Sequence, residues 1–134
     1  MKRVINCAIL CLWAIMLTSC GSETPSDLAN KFLTAIVEKN AEEVADIFLA
    51  AYNFEEADPK DIAELKARWI KEFEEDLMNP DEKGVMVSFI IVKESISEDL
   101  QSAIVKFVAF YENDEKLEEL TFSKKENGDW HIGN

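Results

Sequence analysis

Ser102-Ala103-Ile104-Val105-Lys106-Phe107-Val108-Ala109-Phe110-Tyr111, a break at Glu112-Asn113-Asp114, and then Lys116-Leu117-Glu118-Glu119-Leu120-Thr121-Phe122-Ser123-Lys124 decide the fold of this chain. Large apolar residues recur at every second position on both sides of the break, as in strands that bury one face. A two-residue turn at Asn113-Asp114 would pair Phe107 with Leu120 and Val105 with Phe122. Downstream, a three-residue loop at Glu126-Asn127-Gly128 would pair Phe122 with Ile132 and Lys124 with Trp130. Both turns keep Phe122, Trp130 and Ile132 on one inward face, the agreement expected of a true meander. Upstream, Val85 to Glu94 is another β-rich run, and both its faces are apolar. Either Ile90 with Val92, or Phe89 with Ile91, forms its outward set.

Before Gly84 the period is helical. Thr24-Pro25-Ser26-Asp27 is a capping box with proline at the first helical position, followed by Leu28, Phe32, Ala35 and Ile36 at helical spacing. Asn40 ends that helix and caps a second one, whose stripe is Val44, Ile47, Phe48 and Ala51. Asp58-Pro59 opens a third, with Ile62, Leu65, Trp69 and Phe73 as its expected buried face and Asn79-Pro80 as its stop. Three helices followed by four strands predict an α+β domain over 24–134, its helices packed on one face of a four-stranded antiparallel sheet.

The N-terminus predicts where the protein lives. Met1-Lys2-Arg3 is basic, and Val4 to Met16 carries no charge, which is the layout of a secretory signal and too short to span a membrane. Leu17-Thr18-Ser19-Cys20 resembles the lipobox of bacterial lipoproteins. That resemblance implies a cleaved signal over 1–19, a lipidated Cys20 and a short tether over 20–23. Several acyl chains on one residue exceed what stable anchoring needs, since a single myristoyl-length chain holds only marginally. Gly21 follows the cysteine, where enteric inner-membrane lipoproteins carry aspartate, so the outer membrane is the expected address.

Without Lys2 and Arg3 the chain keeps 12 basic residues against 27 acidic ones, a formal charge of −15. Such a field repels nucleic acid and anionic lipid surfaces, so the membrane partner is reached through the lipid alone. Cys7 and Cys11 leave with the signal and Cys20 is consumed by lipid, so no thiol remains for a disulfide, a metal or a nucleophile.

The helix Thr24-Pro25 with its Phe32-Leu33-Thr34-Ala35-Ile36 core, the strand Ser102 to Phe107 and the ending Lys125-Glu126-Asn127-Gly128-Asp129-Trp130-His131-Ile132 together resemble the small bacterial lipoproteins of domain of unknown function 4878. These belong to the nuclear transport factor 2-like (cystatin-like) superfamily. The resemblance implies a cone-shaped α+β fold and a membrane-anchored location, and no established activity.

Superfamily enzymes work in the cone with a carboxylate base and a tyrosine or second acid. Tyr52, Tyr111, Asp46 and Asp61 are the groups that could imitate this. Asp46 lies off its helix stripe, and Asp61 is accounted for by its place in a first helical turn. His131 alternates outward and has no second histidine or cysteine with which to hold a metal. The acids at 72–76 and 112–119 lack the spacing of a calcium loop. No motif calls for a cofactor. The expectation is a non-enzymatic binding or interaction module; an isomerase-like or dehydratase-like enzyme using the cone is the alternative. Tyr52, Trp69, Phe73, Phe107, Phe122 and Trp130 are the candidate lining of a pocket for a small apolar ligand, weighed against simple core packing. On the outward face of the sheet, Ile104, Val108, Phe110 and Leu117 would form an apolar patch. It would serve as a docking surface for a second copy or another envelope protein, unless the loop around Phe54 or the membrane covers it.

Overall fold

Each of the three helices among the described residues begins where a side chain can take up its free amides. The computed structural model describes residues 23–52 and 54–133; the signal segment, Cys20 and Gly21 lie outside them. In α1 (Pro25–Val37) the Thr24 hydroxyl accepts the Asp27 amide and the Asp27 carboxylate accepts the Thr24 amide, each at 3.1 Å. A further amide, Ser26 N, donates to Glu94 of the sheet at 2.9 Å, so strand and helix terminus are tied directly. Lys39 then turns the chain at φ +56°, and Lys39 N and Asn40 N donate back to Ile36 O and Ala35 O in a Schellman motif. That stop is tight enough for Asn40 to cap α2 (Ala41–Leu49) through the Glu43 amide at 3.1 Å. Asp58 caps α3 (Pro59–Met78) through the Lys60 amide at 2.9 Å, and Asn79-Pro80 closes it.

The strands β1 (Met86–Ile96), β2 (Ser102–Tyr111), β3 (Glu115–Lys124) and β4 (Trp130–Ile132) form one antiparallel sheet in the order β1-β2-β3-β4. The fold is α+β, with three helices followed by a curved, open four-stranded sheet. Register breaks between Met86 and Ser88 and between Ile91 and Lys93 mark irregularities of the bulge kind in β1. The core lies where α1 meets the inner face: Ala29, Phe32 and Leu33 against Ala103, Val105, Phe107, Ala109 and Phe122. Phe122, Leu33 and Val105 are fully buried, and each such side chain contributes about 1.5–3 kcal/mol of apolar burial. Among the described residues, the caps and core residues lie between 24 and 132. A chain beginning at Ser22 contains all of these contacts.

Two sequence expectations need correction. The β2–β3 turn is at Glu112-Asn113, closed by Tyr111 N donating to Asp114 O, and not at Asn113-Asp114. Phe107 therefore pairs with Glu118, Val105 with Leu120 and Ala103 with Phe122, a slide of two residues. The cause is the connection before β1. Glu112 N and Asn113 N donate to Val85 O and Lys83 O, while the Glu112 carboxylate accepts Val85 N at 3.0 Å. The turn is set by those long-range bonds. A slide of two preserves which face each side chain takes. The β3–β4 register is as the loop predicts, with Phe122 opposite Ile132 and Lys124 opposite Trp130.

The second correction concerns α3. Ile62, Leu65, Trp69 and Phe73 are half-buried, and no residue of this helix is fully buried. Its apolar stripe leans on α2: Phe73 stacks on Phe48 with ring centroids 5.5 Å apart, and Phe48 meets Phe32 edge-on at 5.7 Å. Lys66 reaches Asp46 at 2.8 Å across the same seam. With α3 held by α2, the space over the inner face stays open toward the end of the cone near Met86.

Candidate functional site

That open space is a cavity of about 650 Å³ between α1, the end of α3 and the sheet. Its floor is Met86, Phe107 and Leu120, and its wall is Phe32, Leu33 and Ile36, one face of α1. Leu77, Pro80 and Val85 close the apolar side. Apolar walls and a few converging polar groups are what small-molecule sites share.

The polar groups gather at the mouth. Tyr111 donates its hydroxyl hydrogen to Glu118 at 2.7 Å, and Lys83 Nζ lies 3.6 Å from Glu118 and 4.0 Å from Asp81. The same ammonium sits 4.2 Å from the centre of the Tyr111 ring, in cation–π range. Burial first, and then the bond to Glu118, raise the Tyr111 phenol above its ordinary value, with Lys83 pulling the other way. Burial alone would lower Lys83; the pull of Tyr111, Glu118 and Asp81 outweighs it, and its value is raised. At neutral pH Lys83 is thus an ammonium and Tyr111 holds its proton, with the side chains of Glu118 and Asp81 around them. A phenol kept protonated in this way is a hydrogen-bond donor.

A second hollow, of about 780 Å³, opens at the other end of the sheet between α1, α2 and β4. Tyr52, Trp130 and His131 line it with Asp27, Asp46 and Asp129. Its walls are mostly charged and its acids face solvent or pair with Lys31 and Lys66. Among the described residues no group of three or more histidines, cysteines or acids is arranged to hold a metal ion.

The six expected pocket residues are not brought together. Phe107 lines the cone, whereas Tyr52 and Trp130 line the second hollow. Phe122 is sealed in the core, 0% exposed, because its strand pairs it against Ala103 beneath α1. Trp69 and Phe73 belong to the aromatic seam of α2 and α3, where Tyr52 meets Trp69 at 5.7 Å and Phe54 at 5.9 Å. Neither helix residue enters the cone. Lys83 is the site residue that sequence reading passes over, and Glu118 enters it only among the acids at 112–119. Alternation from Phe122 through Leu120 puts Glu118 on the inner face and could have singled it out.

On the outward face, Ile90, Val108 and Leu117 form a row across three strands, with Phe110 and Ile104 beside it. Ile90 and Leu117 are 57% and 66% exposed, while Val108 and Phe110 are half-buried. Phe89 and Ile91 turn inward, which leaves Ile90 and Val92 as the outward set of β1. The loop at Phe54 packs on Tyr52 on the helical side and does not cover this row.

Comparison with known proteins agrees with the fold. No curated protein matches the chain. A solved structure from Campylobacter jejuni, named "Putative NTF2-like transpeptidase", superposes with a TM-score of 0.54 at 15% identity, covering 82% of this chain and 97% of that one. At that identity the likeness shows the fold, which is NTF2-like. No helix among the described residues is long and apolar enough to cross a membrane. The family model described as domain of unknown function DUF4878 matches residues 18–133, and the chain belongs to that family.

Proposed function

We propose that this protein is a lipid-anchored, non-enzymatic module of the bacterial envelope, built to hold a small amphipathic ligand in the cone. The observation that carries the reading is the cavity itself. It is apolar along α1 and the sheet floor, and polar at Lys83, Tyr111 and Glu118. The lipobox-like Leu17 to Cys20 supports the anchor and the outer-membrane address. The test of the site is titration of a chain starting at Ser22 with the neutral probe N-phenyl-1-naphthylamine. Saturable, one-to-one fluorescence gain that Leu120→Trp abolishes is expected, because the indole fills the floor. Equal gain in the filled variant would refute it. Alkyne-palmitate labelling tests the anchor: the wild type is labelled and Cys20→Ala is not.

An enzyme is the second reading, favoured by one contact, the Tyr111 hydroxyl beside Glu118 inside a ligand-sized cavity. A reaction that needs Glu118 as base would lose turnover but not binding in Glu118→Gln. The outward row of Ile90, Val108 and Leu117 is a docking surface for a second copy or another envelope protein. Light scattering of the Ser22 chain at moderate salt, with Phe110→Lys as the disrupted form, distinguishes the two.

A further inference from the structure

At the cone mouth one ammonium of the chain sits among an aromatic face and two acids. Lys83 Nζ rests over the Tyr111 ring at 4.2 Å with carboxylate oxygens of Glu118 and Asp81 at 3.6 and 4.0 Å. An aromatic face and two acids around one ammonium are what a ligand amine would need. The ion-pair distances are long, so the occupant is loosely held.

The frame around it is fixed. Glu112 and Asn113 of the β2–β3 turn bond to the backbone of Lys83 and Val85, and Asn113 Nδ2 donates to Glu82 O at 3.4 Å. Gly84 makes this close approach possible: its φ is +81°, and an added Cβ would lie 2.9 Å from Glu112 Cβ. The backbone of Lys83 is thereby pinned while its four-carbon stem can rotate away from the mouth. The same cavity is lined by Phe107, Leu120, Met86 and Ile36, a surface for a hydrocarbon chain. The charge of the chain without its signal segment, −15, disfavours an anionic head group at the same place.

Resting on the reading of the cone as a ligand site, we infer that its ligand is an amine-bearing amphiphile, whose ammonium displaces Lys83 from the Tyr111 ring and Glu118 while its apolar part lies along α1. The chain's own lysine acts as a replaceable stand-in that closes the mouth when the site is empty.

Competition against N-phenyl-1-naphthylamine on the Ser22 chain at pH 7 compares decylammonium, decanol and decanoate, which share a tail and differ in head charge. Decylammonium is expected to displace the probe at roughly tenfold lower concentration than decanoate, with decanol between them. Lys83→Met should tighten decylammonium severalfold by removing the competitor, and Glu118→Gln should erase the preference. Glu126→Gln, the same charge change on a distant loop, should leave it intact; circular dichroism confirms that each variant is folded. Decanoate displacing as well as decylammonium, or Lys83→Met weakening decylammonium, overturns the inference while the cone remains a ligand site. If the probe itself does not bind, the cone reading falls as well.

Discussion

Tyr111 carries the clearest energetic consequence of any single side chain at the site. Its hydroxyl reaches Glu118 at 2.7 Å in a half-buried setting, so Tyr111→Phe should cost about 1 kcal/mol at pH 7. The native phenol is raised above 10.0, so the unfolded chain ionises first as pH climbs. Its contribution is therefore complete below about pH 10 and is lost as pH rises through the raised native value. Lys83, raised for the native state too, acts with the same sign. Urea unfolding at pH 7 and above pH 10 should show a shallower alkaline loss in Tyr111→Phe than in the wild type. Leu100 holds a left-handed φ of +61° on an exposed turn, where Leu100→Gly should stabilise by about 0.5–1 kcal/mol. The inward side of Glu118 is legible from its alternation with Leu120 and Phe122. Its meeting with Tyr111 is not, because that depends on a two-residue slide set by bonds to Lys83 and Val85.

At the level of elements, helix starts are local and therefore readable. Thr24 with Asp27, Asn40 and Asp58 each bond amides within three residues. What a helix packs against is not local. The stripe of α3 announces an amphipathic helix without naming its partner, and the partner is α2. The difference in burial should be measurable: Phe122→Ala should cost about 3–5 kcal/mol, and Trp69→Ala, half-exposed on the seam, less than about 2. Gly84 joins the two halves of the molecule. Gly84→Ala combines a left-handed φ with a 2.9 Å approach to Glu112 and should destabilise by at least about 1 kcal/mol. Thermal unfolding of the three variants, ranked against the wild type, checks the order.

Across the whole molecule, the division of labour follows from which faces the helices leave uncovered. α1 seals the middle of the inner face and leaves the cone open at the Met86 end, while the outward face keeps its apolar row of Ile90, Val108 and Leu117. The two surfaces offer competing places for an apolar probe, so locating the bound molecule is decisive. Methyl-labelled nuclear Overhauser spectroscopy of the Ser22 chain with decylammonium does this directly. Predicted are contacts from the alkyl chain to the methyls of Leu33, Ile36, Met86 and Leu120, and none to Ile90 or Leu117. Contacts to Ile90, Val108 and Leu117 with the cone methyls silent would contradict a ligand-binding cone.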